Sequence, residues 1–318
     1  MALITSFPHA LNDSLSLRGL PLTQLYPGKV FWVGNSASLL EGETTASNSN
    51  VGSFLQPFST IDYAIGQCVA GRGDVIYVRP GHTVTATAAG SITLDISGVA
   101  IIGLGTGALR PTVTFDTATT ASFLVSGANC TVSNFLFLGG INALVNPIHV
   151  QAADFTMLNC EYRDTSTFET VDAVVTTAAA TRFTVDGFKY VGSTSAGADT
   201  CFSIVGAVGF QLRNFDIVGL FAVAAIEFVT TVSTDVRIRD GLISNLDTTD
   251  PILIGGGDIA NTTGVFGPNL FCNLGDADNG DIAAAFPTSA VTYVNPIMIT
   301  TEANATGLAV VKTASTDA

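Results

Sequence analysis

Cys130-Thr131-Val132-Ser133-Asn134-Phe135-Leu136-Phe137 is the stretch that decides the fold, because its pattern returns along the chain. The other copies are Val99–Leu104 (VAIIGL), Phe155–Tyr162 (FTMLNCEY), Phe183–Tyr190 (FTVDGFKY), Phe210–Ile217 (FQLRNFDI) and Val236–Ile243 (VRIRDGLI). The Asn/Gly/Asp position steps from 103 to 134, 159, 187, 214 and 240, intervals of 31, 25, 28, 27 and 26. A period in this range marks a solenoid, and a unit built of short strands makes it a parallel β-helix. In the quoted stretch Val132, Phe135 and Phe137 are expected inside, Ser133 and Leu136 outside. Asn134 sits where alternation breaks, at a bend that needs a residue tolerant of left-handed backbone angles. The expected turn ladder is therefore Asn134, Asn159 and Asn214, with Gly187 between the last two. Phe135, Cys160, Phe188 and Phe215 form the expected core stack beside it.

A second apolar run precedes most copies: Ser122–Val125, Pro147–Val150, Cys201–Val205, Ala225–Phe228 and Pro251–Ile254. Each alternates at period two and ends in turn residues. One coil is then strand, turn, strand, bend, strand. The register also aligns outward positions. Leu136 leads to Glu161, Lys189 and Asp216, and Ser133 leads through Leu158 to Asp186, Arg213 and Arg239. The first column alternates in sign above its leucine, which predicts Lys189 as the partner of Glu161 and Asp216.

The ends differ from the repeats. Residues 1–30 hold Leu15, Leu17, Leu20, Leu22 and Leu25 among Pro8, Pro21 and Pro27, too apolar for a free tail. They are expected to form an arm that lies on another surface. Residues 31–260 are the expected β-helix, with Lys29–Val33 as its first strand. A helix over 59–70 is expected to cover the open lower end, with Ser59-Thr60-Ile61-Asp62 as a capping box and Gly71 as terminator. The period fails after about 260, so 261–318 are expected to form a C-terminal cap and oligomerisation segment.

The formal net charge is −14, with 12% charged residues, which argues against nucleic acid or an anionic membrane as partner. Mean hydropathy is +0.46, and no apolar run reaches the roughly 18 residues of a membrane span. The apolar surplus points to a core plus a subunit interface. Cys68, Cys130, Cys160, Cys201 and Cys272 are widely spaced and odd in number, so free buried thiols and assembly in a reducing cytoplasm are expected. Met1–Pro8 lacks a basic start and a long apolar block, so no secretory leader is expected.

Glycan cleavage needs two carboxylates about one cleft, roughly 5 to 9.5 Å apart. The candidate pairs are Glu161 with Asp164, Asp186 with Asp216, and Glu169 with Asp172; ladder pairing or a loop position accounts for most of them. No residue is assigned a catalytic role. Arg72-Gly73-Asp74 spells an adhesion tripeptide, but its glycine is explained by a turn. Asp276–Asp281 (DADNGD) lacks EF-hand spacing, because Gly280 stands where an oxygen ligand is needed. His9, His82 and His149 lack metal-ligand spacing. No metal or cofactor is expected. The sequons at Asn12, Asn261 and Asn304 have no secretion signal beside them.

Several segments resemble a known family. They are Phe7-Pro8, Gly28–Ser36 (GKVFWVGNS), Pro57–Ile65 (PFSTIDYAI), Arg72–Val78 (RGDVIYV), Pro80–Thr83 (PGHT), Ser91–Asp95 (SITLD), Ile101–Gly105 (IIGLG), Arg110-Pro111 and Thr114–Ala118 (TFDTA). Together they resemble tailed-phage and prophage proteins with right-handed parallel β-helices. The resemblance implies a virion structural protein, a homotrimer that decorates or cements the capsid surface. Its partner would be the major capsid protein, reached through the arm residues Phe7, Pro8, Leu15, Leu17, Leu20 and Leu22. The wider fold class resembles pectate lyases and phage tailspikes, which leaves open a tail-associated spike that binds or cleaves a host surface glycan.

Overall fold

The computed structural model describes residues 28–35, 42–165, 168–193, 197–247, 252–274 and 290–294, and the backbone of the short strands Ser16–Leu17, Leu20–Pro21, Ile297–Thr300 and Ala309–Val310. The chain winds into a right-handed parallel β-solenoid of about seven turns. Three faces make each turn. The first runs through Val30–Val33, Val75–Val78, Ala100–Gly103, Thr131–Ser133, Thr156–Leu158 and Thr184–Asp186. The second runs through Thr83–Thr85, Thr112–Phe115, Leu136–Gly139, Glu161–Asp164 and Lys189–Val191. At Gln211–Gly219 and Val236–Asn245 one continuous strand serves both. The third face has seven strands, from Ile92–Leu94 up to Ile254–Gly255.

The bends follow from backbone chemistry. Asn134, Asn159, Gly187, Asn214 and Asp240 all have positive φ, between 50° and 74°. Asn134 Nδ2 donates to the carbonyls of Gly103 and Gly105 in the coil below, at 2.8 and 2.9 Å. A Cβ at position 187 would lie 2.4 Å from Asn159 Oδ1, so both space and φ demand glycine there. A second left-handed ladder runs five residues earlier, through Gly98, Asn129, Asp154, Arg182, Gly209 and Asp235. The sequence pattern had not shown it.

Apolar side chains fill the interior from Phe31 to Val291. Phe135, Cys160, Phe188 and Phe215 are all buried. Their ring contacts run sideways, not up the column: Phe135 packs on Phe137, and Phe188 meets Phe202 edge-on at 5.1 Å. Two aromatic columns do climb the coils, Phe155–Phe183–Phe210 and Tyr162–Tyr190–Phe221, with centroid steps of 5.3 to 5.6 Å.

The lower cap is shorter than expected. The helix spans Ile61–Gly66, and its N-cap is Thr60, whose side chain accepts from Tyr63 N. Ser59 is instead bound to Asn48 Oδ1, which also takes the Thr60 amide. Asp62 does not close a capping box; its Oδ1 accepts from Thr93 N on the lowest third-face strand. Gly71, with φ +70°, turns the chain five residues past the helix. At the upper end parallel stacking does not stop at 260. Thr263–Phe266 pairs with Ala290–Tyr293, and Leu270–Leu274 pairs with Ile297–Thr300. Asn269, at φ 54°, holds the bend position 29 residues after Asp240. That step lies within the 25 to 31 residues of the earlier coils, so the coil length continues past 260 and only the residue pattern that marks it changes.

Candidate functional site

The first face presents Ser133, Leu158, Asp186, Arg213 and Arg239 in register. Asp186 is fully engaged by the next coil: Arg213 Nε donates to one oxygen at 2.9 Å and Asn214 Nδ2 to the other at 2.7 Å. Arg239 turns to Asp240 at 2.8 Å. Asp216 lies on the second face, so the candidate pair Asp186 and Asp216 faces no common cleft.

On the second face Leu136, Glu161, Lys189 and Asp216 align as the register requires. The expected partnership does not form. Glu161 is buried, not solvated, and its two oxygens are taken by Arg110 and Arg163. Arg110 reaches it from the loop before Thr112–Phe115, two coils below. A guanidinium offers forked donors that match a carboxylate, and it outcompetes the compact ammonium of Lys189, which stays exposed. Burial pushes the Glu161 carboxyl up, but the two guanidinium groups reverse this and hold it below its usual value. Asp164 is buried beside the stacked rings of Tyr162 and Tyr190. Tyr190 and Thr170 donate to it at 2.7 Å each, and burial pushes its carboxyl up. Glu161 and Asp164 thus have separate partners, guanidinium for one and hydroxyl for the other.

The third face holds what the sequence pattern missed. Asp172, Asp199 and Glu227 sit on successive strands Asp172–Thr176, Ala198–Ile204 and Phe221–Phe228. Thr200 Oγ1 donates to Asp172 Oδ1 at 2.6 Å. Burial, and then the charges of Asp172 and Asp199, push the Glu227 carboxyl up. Burial likewise raises Asp172, and Asp199 adds to it. Below Glu227 its outward column continues through Ser203, Val175 and His149. Asp172 lies opposite Thr200, not Asp199, so the three carboxylates share a face but not a column. Glu169, the expected partner of Asp172, lies on the corner before it, half-buried. Among the described residues no group of three His, Cys, Asp or Glu could hold a metal ion.

The remaining motifs have structural positions. Arg72 and Asp74 bind each other through two 2.6 Å bonds, and Asp74 is fully buried, also accepting from Lys29 N and Val69 N. An adhesion tripeptide needs both side chains free. His82 is buried with Nδ1 on the Gly34 carbonyl, and burial lowers its pKa. All five cysteines are free and buried; desolvation pushes Cys160 up to about 11. Asn261 closes the short 3-10 helix Ile259–Asn261. His9, Asn12, Asn304, the 276–281 loop and the arm positions Phe7, Pro8, Leu15 and Leu22 lie outside the described residues. Leu17 and Leu20 pair as backbone in a two-stranded antiparallel ladder. No helix among the described residues is long and apolar enough to cross a membrane.

No protein-family model matches the chain, and no curated sequence matches it. A solved structure titled rhamnogalacturonan lyase is similar with a TM-score of 0.41 and 13% identity, covering 85% of this chain and 87% of that one.

Proposed function

We propose that the chain is a structural protein of a tailed-phage virion, an oligomer that decorates or cements the capsid exterior and is held there by its N-terminal arm. The observation that carries this reading is how the charged side chains are used. All eight arginines among the described residues form ion pairs: Arg72, Arg79, Arg110, Arg163, Arg182, Arg213, Arg237 and Arg239. Several of these pairs bridge coils, as in Arg110–Glu161, Arg182–Asp154 and Arg213–Asp186. Charge is spent on fixing one coil to another, as suits a rigid spacer. The resemblance to phage β-helix proteins, which covers most of the chain and weakens after residue 260, supplies the virion context.

Deleting residues 1–27 and adding the protein to undecorated capsids tests this. The shortened chain should keep its β-sheet circular dichroism and lose particle binding. Binding that survives the deletion would remove the arm from the reading, and reconstruction of the intact virion would locate the protein directly.

A second reading, a tail-associated spike that binds or cleaves a surface glycan, is favoured by the third-face carboxylates Asp172, Asp199 and Glu227. None of them forms an ion pair with an arginine, and two are raised towards the range of a general acid. Depolymerisation of host polysaccharide that is lost in Glu227→Gln would favour the spike.

A further inference from the structure

The turn Ser53-Phe54-Leu55-Gln56 carries two large apolar residues at its tip, exposed by 46% and 44%. Turn positions ordinarily hold Gly, Pro, Asn, Asp or Ser. This tip is fixed, not slack. Ser53 and Gln56 form an antiparallel bridge, and Gly52 N donates to Gln56 O at 2.9 Å. Trp32 N donates to Gly52 O at 2.8 Å, which ties the turn to the lowest first-face strand, and Thr44 N donates to Leu55 O at 2.9 Å. From the next coil the Arg79 guanidinium donates to Phe54 O and lies 4.7 Å from the centre of the Phe54 ring. Its charge is met by Glu43, with both side chains nearly out of solvent.

The tip stands beside an apolar column on the outer side of the first face. Trp32, Tyr77 and Ile102 follow one another in register, all half-buried. The Trp32 ring meets Phe54 edge-on at 4.8 Å and Tyr77 at 5.1 Å. Val51 adjoins the turn and is 67% exposed. Higher on the same column Asp186, Arg213 and Arg239 take the outward position. The apolar patch is therefore confined to the lower end, and a contiguous patch of this kind marks a surface that something covers.

The N-terminal arm joins the solenoid beside this patch. Gly28 packs so tightly on Gly73 that a Cβ there would lie 2.1 Å from the Gly73 carbonyl oxygen. Pro27-Gly28 is a turn signal at the point of entry. From Gly28 to Trp32 is about 13 Å of strand. Leu25 and Leu22, three and six residues before Gly28, reach about 10 to 20 Å from it, enough to lie over Trp32. Residues 1–27 hold seven leucines and only two charges, Asp13 and Arg18, so an apolar seat suits them. The described arm strands Ser16–Leu17 and Leu20–Pro21 pair only with each other, which leaves side-chain contact as the means of seating. We propose that the patch is the seat of the chain's own N-terminal arm: Leu22 and Leu25 fold back from Pro27-Gly28 and cover Trp32, Phe54 and Leu55. The seat concerns the protein by itself, so it stands or falls apart from the capsid reading.

Crosslinking of the full chain tests it. All five natural cysteines are buried, so introduced ones react alone. Leu55→Cys combined in turn with Leu22→Cys or Leu25→Cys should give an intrachain product with a short bismaleimide in dilute solution. The same arm cysteines combined with Val208→Cys, exposed at the turn before Gln211–Gly219, should give none. Independently, Leu22→Ser with Leu25→Ser should shift the emission of Trp32, the single tryptophan, to the red and raise its quenching by acrylamide. No product with Leu55→Cys, equal product with Val208→Cys, product only between two chains, or an unmoved Trp32 emission would overturn the seat. Product only between chains would give the patch to the arm of a second copy instead.

Discussion

Gly241 sits one coil above Phe215 and in register with it, and a Cβ at 241 would lie 2.6 Å from the Phe215 ring. The column that begins with Phe135 thus sets small residues among its rings. Cys160 lies between Phe135 and Phe188, and Gly241 makes room over Phe215. Packing at native density leaves no slack for an added methyl. Gly241→Ala should destabilise by about 1–3 kcal/mol through overpacking. Phe215→Leu should recover part of this in the double variant, a coupling that urea denaturation of the four species would measure.

Phe188 is buried and meets Phe202 across the interior. Phe188→Ala should cost about 3–5 kcal/mol, because it removes a ring and leaves a cavity that neighbouring coils cannot close. Phe188→Leu should cost less than half as much. Because each coil contacts only its neighbours, the loss should appear first as faster hydrogen exchange in the two adjoining coils.

Glu161 carries two guanidinium groups, so its removal strands both. Glu161→Gln should lower stability by about 1–3 kcal/mol, less than for a fully buried pair because Arg163 is half-exposed. Lys189→Ala should change stability by less than about 0.5 kcal/mol, since it is exposed and forms neither of these pairs. Equal costs for the two variants in thermal melts would contradict the assigned pairing.

Acid should act on the two carboxyl classes in opposite senses. Glu161 and Asp74 are held below their ordinary values, so their contribution is complete above those values and is lost as pH falls through the depressed ones. For Asp74 burial again opposes, and the bonds from Arg72, Val69 N and Lys29 N prevail. Asp172 and Glu227 are raised by burial, so they favour the fold most at low pH and lose that contribution as pH rises above the ordinary carboxylate range. Stability should peak in mild acid, near about pH 4–5, and decline towards neutrality. The double variant Asp172→Asn, Glu227→Gln should flatten that decline in melts recorded across the range.

The solenoid was legible in the sequence because one bend requires a left-handed residue, and Asn134, Asn159, Gly187, Asn214 and Asp240 meet that need with residue types that stand out. The parallel bend five residues earlier was not, because Arg182 holds it with φ 55°, and arginine does not announce such a turn. Register was legible from strand alternation, which placed Glu161, Lys189 and Asp216 in one column. Pairing was not, since Arg110 comes from a loop two coils away that no local ladder includes. Asp199 and Glu227 escaped because they do not repeat in register: Asp172 lies opposite Thr200, and Glu227 lies opposite Ser203.

Asp62 occupies the amide of Thr93 on the lowest strand of the third face. A parallel stack is a template at its rim, and a neighbouring molecule could extend it strand upon strand into a filament. A carboxylate accepts but cannot donate onward, so at that site it acts as a chain terminator. The helix that carries it is therefore a lid with a direction: at the lower rim of the third face, the amide that an added strand would need is already taken.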